Sequence, residues 1–161
     1  MQLIIVIETR SSNQSDYKYI KSVIDYFYKP RSFTIKKIFA SSKSELIRQD
    51  KKINKEIADY PDESKIIVFA DTDKNDDALN SKIIGYTNKN KFDLVWMNSD
   101  VEEVFLGRKV NKRNKGKEAD NYLVHYQKIL PSLTNLENDN PLKFNKTSNI
   151  LLVLNKYLEK K

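Results

Sequence analysis

Acidic residues follow two of the most apolar segments of the sequence. Residues 3–7 are followed by Glu8, and residues 66–70 are followed by Asp71 and, two positions later, by Asp73. An open parallel sheet carries its chemistry at the carboxyl ends of its strands, so neighbouring strands would bring these three carboxylates into one crevice. Oxygen ligands of this kind suit hard divalent cations. We therefore expect Glu8, Asp71 and Asp73 to be catalytic and to bind Mg²⁺ or Mn²⁺.

Phosphoryl transfer is the reaction class that such a site serves best. Metal ions neutralise charge on the phosphoryl oxygens and orient the nucleophile. Asp71 is the expected inner ligand and Asp73 the outer one, while Glu8 either binds a second metal or acts as a general acid or base. Acidic residues at strand ends also cap helices and bind loop amides, and this structural alternative stays open.

The first hundred residues alternate between strand-like and helix-like patterns. Strands are predicted at residues 3–8, 33–40, 65–71 and 92–97. The helices between them are expected to begin near Ser11, Ser12 or Asn13 and end at Pro30, to span residues 43–60, and to begin at Asp76 or Asp77. This order predicts an α/β fold, with a four-stranded, mostly parallel sheet flanked by helices on both faces.

The pattern changes after the fourth strand. A short helix is predicted at residues 100–106, followed by a basic stretch at 108–117 and by helices at 118–130 and 147–159. We expect residues 1–107 to form the α/β domain and residues 108–161 to be a helical extension packed on that same domain.

Basic residues dominate the stretch between the predicted domain and its extension. The chain has a net charge of +7, which favours a polyanionic partner such as nucleic acid. The alternative is an ordinary solvated loop, because runs of charge are usually exposed to solvent. The candidate nucleic-acid-binding residues are Arg10, Arg108, Lys109, Lys112, Arg113, Lys115 and Lys117.

A strand that ends in Glu8 and a later strand that ends in Asp71-Thr72-Asp73 resemble the signature of the Toprim domain. Toprim domains occur in topoisomerases, bacterial primases and the OLD-type nucleases of phage defence. The closest likeness is to the small RloB-like, or abortive-infection, branch, in which a short Glu-aromatic helix follows the last strand. Residues 103–106 stand in that place, and Thr9 stands where the family usually has a glycine.

The resemblance implies a Toprim-like fold over roughly residues 2–107 and a role in phage defence or a mobile element. It also adds Glu103 to the expected metal ligands. The alternative for Glu103 is structural, because Asp100 with Glu103 and Ser99 with Glu102 each have the spacing of a capping box.

Several other classes of protein are excluded or disfavoured. The absence of cysteine excludes thiolate metal sites, and the three glycines form no phosphate-binding loop. A calcium loop beginning at Asp71 is rejected because its sixth position is Asp76 and its twelfth is Lys82. A phosphoacceptor receiver domain is a weaker alternative, since it needs an acidic pair where this chain has only Glu8. Strand passage is excluded because no separate domain carries a nucleophilic tyrosine.

The favoured interpretation is a metal-dependent nuclease in the cytoplasm, with nucleic acid as its partner and no membrane segment. The alternative is a non-catalytic interaction module that works with a partner protein such as an ATPase, or with nucleic acid.

Overall fold

A four-stranded parallel sheet forms the centre of the protein. A computed structural model describes residues 1–30, 33–72 and 76–161. The strands lie in the order β2-β1-β3-β4, and every neighbouring pair is parallel. Their bounds are β1 Gln2–Glu8, β2 Thr34–Ala40, β3 Ser64–Asp71 and β4 Asp93–Met97. The predicted α/β class and parallel sheet are confirmed.

Helices cover both faces of this sheet. They are α1 (Ser15–Phe27), α2 (Asp50–Ala58), α3 (Asp77–Asn90), α4 (Val101–Leu106), α5 (Lys115–Ile129) and α6 (Ile150–Leu154), with 3₁₀ turns at Lys43–Arg48 and Leu130–Ser132. None of the helices in the described ranges has both the length and the apolar character needed to cross a membrane.

The alternating side chains of β1 divide the core into two layers. Leu3, Ile5 and Ile7 pack in a cluster with residues of α1, α4, α5 and α6. Ile4 and Val6 pack in the second cluster, with residues of α2, α3 and the first 3₁₀ turn. Both faces of β1 are therefore apolar, which is why this strand reads as a continuous hydrophobic run.

The chain reverses its direction of winding at β1. It passes from β1 to β2 on one side, and then crosses to β3 on the other side. A reversal of this kind opens a crevice between the two neighbouring strands whose following connections run in opposite directions. Here the crevice lies at the carboxyl ends of β1 and β3. The fold therefore positions Glu8 and Asp71, at the ends of these two strands, around one opening.

Four predicted helices differ from those observed, three of them in where they begin or are interrupted. The helix expected over 43–60 is interrupted at Gln49, whose side chain donates a 2.8 Å hydrogen bond to the Glu45 carbonyl. Helix α5 begins at Lys115 rather than at residue 118, so the end of the basic stretch is its first turn. At the start of α1, Gln14 holds the cap position with a left-handed backbone, one residue beyond the expected range.

The predicted final helix, 147–159, was wrong over most of its length. Ser148 pairs with Met97 of β4 as an antiparallel bridge. The Asn149 side chain accepts from Trp96 N at 2.9 Å and donates to Leu94 O at 3.0 Å. These residues bond to backbone groups at the open edge of β4 instead of forming the first turn of a helix. The observed helix α6 is limited to Ile150–Leu154.

Candidate functional site

A cleft of about 820 Å³ lies above the carboxyl ends of β1 and β3, where the winding of the sheet reverses. Its polar wall carries four carboxylates, from Glu8, Asp16, Asp71 and Asp100. A second, much smaller cavity shares three of these carboxylates and is also lined by the apolar side chains of Ile7, Phe69 and Met97. The sequence thus correctly predicted that Glu8 and Asp71 would share one opening.

The two strand-end carboxylates approach this cleft from different sides of the sheet. Glu8 continues the alternation of Val6, which faces the α2 and α3 layer, whereas Asp71 continues that of Phe69, which faces α1. Successive side chains of a strand point to opposite faces. Glu8 and Asp71 therefore flank the crevice, and both line it above the sheet edge.

Asp16, in the first turn of α1, is a site residue that sequence reasoning did not include. Its carboxylate accepts a 3.1 Å hydrogen bond from Ser15 Oγ. Burial raises the pKa of Asp16 to about 6, against the lowering effect of Lys115, and the charges of Glu8 and Asp100 raise it further. The signal was available, because the helix that follows β1 must begin at the same sheet edge as Glu8.

A lysine links this acidic wall to the interior. Lys115 Nζ donates a 2.9 Å hydrogen bond to Oε2 of Glu102 and lies 4.0 Å from Asp100 Oδ2. Burial raises the pKa of the Glu102 carboxyl to about 7, although Lys115 opposes this shift. Burial lowers the pKa of Lys115, but attraction to Glu102, Asp16 and Asp100 outweighs it and raises the pKa overall. The single ammonium of Lys115 thus partly offsets the charge of three carboxylates, and this group of side chains keeps an excess of negative charge.

The structure does not bring every predicted ligand into the cleft. Glu103 is buried, its backbone N–H is capped by Asp100 Oδ1 at 2.9 Å, and its side chain is not among those lining the cleft. The capping role expected of Asp100 is therefore present, and the metal role of Glu103 stays a prediction. Asp73 lies outside the described residues.

The predicted basic residues divide into two groups. Arg10, Lys112 and Lys115 line the cleft. The others do not line it, and Arg108 is held by Glu118 at 2.6 Å. The group outside the cleft lining is Arg108, Lys109, Arg113 and Lys117.

Thr9, which directly follows Glu8, also lines the cleft. Its hydroxyl is buried and has no hydrogen-bond partner. A buried hydroxyl of this kind is unfavourable unless a ligand or ordered water satisfies it.

The chain that leaves β3 is held from beneath by a buried lysine. Lys43 Nζ donates to Asn80 Oδ1 at 2.6 Å and to the Thr72 carbonyl at 3.2 Å, and lies 3.5 Å from Asp76 Oδ2. Asn80 Nδ2 also donates to Thr72 O, at 3.1 Å. These contacts fix the backbone directly after Asp71, and sequence patterns gave no indication of them.

Within residues 1–30, 33–72 and 76–161, no three histidine, cysteine, aspartate or glutamate side chains lie close enough together to form a metal-binding group. The donor set around the cleft consists of carboxylate oxygens, the ligand type preferred by Mg²⁺ and Mn²⁺. Glu8 and Asp71 line one opening but come from opposite faces of the sheet.

No family model matches this chain, and no match was found among curated proteins or solved structures.

Proposed function

We propose that this chain is a Toprim-like, Mg²⁺- or Mn²⁺-dependent phosphodiester hydrolase that acts on nucleic acid. The observation that carries the proposal is the shared cleft at the reversal of the sheet, where Glu8 and Asp71 lie beside Arg10 and Lys112. Carboxylates suit a divalent cation and the neighbouring basic groups suit a phosphate, so the two kinds of side chain together fit a metal-dependent reaction on a phosphodiester.

Glu8 and Asp71 are the proposed metal-holding residues, with Asp73 as the third ligand predicted from the sequence. The described carboxylates fit the metal in donor chemistry and in their common opening. The bound metal would supply charge neutralisation and activation of the attacking water.

The residues around the proposed metal would each have a separate task. Arg10 and Lys112, on the cleft rim, would bind the phosphate backbone and offset its repulsion by the acidic wall. Asp16 holds a proton more readily than an ordinary aspartate, because its pKa is raised to about 6. It is therefore suited to accept or return a proton at the carboxylate oxygen near neutral pH.

One observation favours a second candidate function. Lys115 already places a positive charge among Asp16, Asp100 and Glu102. A lysine in such a position partly replaces the charge that a metal would bring. A non-catalytic module that binds nucleic acid or a partner ATPase is the alternative consistent with this arrangement, with phage defence or a mobile element as the setting implied by the Toprim resemblance.

Calorimetric titration of Mg²⁺ and Mn²⁺ tests the proposed function. Binding by the wild type should be lost in Asp71→Asn and weakened in Glu8→Gln. Asp25→Asn is the matched control, since Asp25 is an exposed aspartate in the last turn of α1, at the other end of the helix from the cleft. Melting curves in EDTA establish that each variant is folded.

The same proteins are then assayed for cleavage of labelled DNA and RNA. Metal-dependent cleavage that Asp71→Asn abolishes and Asp25→Asn retains supports the hydrolase. A wild type that binds neither metal at millimolar concentration, or an Asp71→Asn protein that cleaves normally, overturns it.

A further inference from the structure

A loop beside β4 exposes an aromatic ring among basic residues. Phe144 is 49% exposed, whereas the other phenylalanines of the chain are buried or partly buried. Leu142 is also exposed, and Lys143 Nζ lies 5.8 Å from the centroid of the Phe144 ring. Residues 140–147 contain no acidic side chain. We call residues 142–146 the aromatic loop.

The aromatic loop lies at the same edge of the sheet as the cleft. Asn98, which follows β4, donates through its backbone N–H to the Thr147 carbonyl at 3.0 Å and through Nδ2 to the Pro141 carbonyl at 2.7 Å. Neighbouring strands are about 4.8 Å apart, and β4 is next to β3. The loop is therefore attached one strand beyond Asp71.

The aromatic loop is also joined to the basic stretch that leads back to the cleft. Lys146 Nζ donates a 2.7 Å hydrogen bond to the carbonyl of Gly107, the residue directly before Arg108. From there the chain runs through exposed Arg108 and Lys109 to Lys112 on the cleft rim. Arg108 is paired with Glu118, so exposed Lys109 and the cleft residue Lys112 are the basic side chains that continue this path to the acidic site.

One exposed ring with lysines around it suits a partner that has both unstacked bases and phosphates. Aromatic side chains stack on unpaired bases, and positive grooves track the sugar-phosphate backbone of a single strand. Bases inside a duplex are stacked on each other, so a single ring has no access to their faces. An apolar protein partner would require a larger exposed patch than Leu142 and Phe144 provide.

We propose that the aromatic loop binds single-stranded nucleic acid, with Phe144 stacking on a base and Lys143 and Lys109 contacting phosphates. The strand then continues along the basic stretch towards the cleft. This inference deepens the proposed function by naming its substrate class. It rests on the proposed function only for the cleavage of the bound strand at the cleft. The binding step itself needs neither the metal nor Asp71.

Fluorescence anisotropy in EDTA measures binding without cleavage. The probes are a labelled oligothymidylate, an oligouridylate and a DNA duplex of matched length. The wild type should bind the single strands with a lower Kd than the duplex. Phe144→Ala should raise the Kd for the single strands about fivefold or more, and Phe144→Trp should restore binding. Val124→Ala, which truncates an exposed side chain on α5, is the matched control and should bind as the wild type does.

Salt dependence provides a second readout that stacking alone does not change. Replacing Lys143 or Lys109 by glutamine should lower the slope of log affinity against log salt by about 0.7 for each phosphate contact removed. Because these measurements are made in EDTA, binding of single strands that depends on Phe144 supports this inference even where metal titration fails, so failure of this inference is distinguishable from failure of the proposed hydrolase.

Three outcomes overturn the inference. They are equal affinity of Phe144→Ala and the wild type, tighter binding of the duplex than of either single strand, and no binding of any probe at low salt. Vesicles containing anionic lipid serve as a competing ligand. Sedimentation with vesicles that depends on Phe144, in a protein that ignores single strands, assigns the loop to a membrane surface instead.

Discussion

Lys115 Nζ donates a 2.9 Å hydrogen bond to Oε2 of Glu102, a carboxylate whose side chain has no exposed surface. The other oxygen of this carboxylate, Oε1, has no hydrogen-bond partner. Only one of the two oxygens of this buried carboxylate is hydrogen-bonded, and burial therefore favours the protonated form of Glu102. This relationship makes the stability of the protein sensitive to pH near neutrality.

Glu102→Gln should stabilise the protein above neutral pH. The pKa of Glu102 is raised from 4.5 to about 7, so the folded state holds the proton more tightly than the unfolded state. The stability contributed by this group therefore falls as pH rises from about 4.5 to about 7. Glutamine mimics the protonated acid, so at about pH 8 the variant should gain about 1–3 kcal/mol in free energy of unfolding.

Urea denaturation across this pH range in EDTA checks the expectation. The variant should show a flatter pH profile than the wild type. Glu137→Gln, which neutralises a side chain that is 54% exposed, should leave the profile unchanged. A Glu102→Gln protein that is less stable than the wild type at about pH 8 contradicts an unfavourable buried charge.

Two buried tyrosines should respond differently to loss of their hydroxyl groups. Tyr19 is fully buried and its hydroxyl has no hydrogen-bond partner. Tyr28 is equally buried, but its hydroxyl donates a 2.7 Å bond to Asn155 Oδ1. Tyr19→Phe should therefore be neutral or stabilising, while Tyr28→Phe should lower the free energy of unfolding by about 1–2 kcal/mol. Equal losses in chemical denaturation would refute this difference.

Removal of the buried lysine beneath β3 should weaken both the fold and the proposed metal site. Lys43→Met leaves Asn80 Oδ1 and Asp76 without their ammonium partner, which should reduce stability by about 2–4 kcal/mol. Because Lys43 also holds the Thr72 carbonyl, directly after Asp71, Mg²⁺ affinity should fall as well.

The matched control for this variant is Lys52→Met on α2, where the side chain is exposed. Denaturation and calorimetry are measured on the same preparations. Lys43→Met with unchanged stability contradicts the anchoring role.

The sheet was predictable because its strands carry their own pattern. The apolar runs of β1 and β3 indicate central parallel strands, and the acidic residues after them indicate the edge of the sheet at which the cleft lies. The position of α6 was not predictable in the same way. The apolar spacing of residues 150–158 predicted a helix that begins at residue 147. Residues 147–149 are polar and bond to the edge of β4 and the residue after it, and an edge is a property of the assembled sheet.

The site was predictable only in its strand-end residues. Glu8 and Asp71 are recognisable because each directly ends an apolar run. Asp16 could have been placed near Glu8, because it lies in the first turn of the helix that follows β1. Glu102 and Lys43 come from a helix and a turn whose position depends on packing, and no local spacing links them to the cleft. Their roles follow from burial and from partners distant in sequence, which periodicity does not report.

Both ends of the chain lie opposite the cleft. The Met1 amino group pairs with Asp62 at 2.9 Å, just before β3 begins, and the Lys161 N–H donates to the Phe27 carbonyl at 2.9 Å, where α1 ends. These anchor points are at the amino edge of the parallel sheet. An affinity tag, fluorophore or surface linker attached at either end therefore leaves the opening above Glu8 and Asp71 unobstructed, and immobilised protein presents that opening to solution.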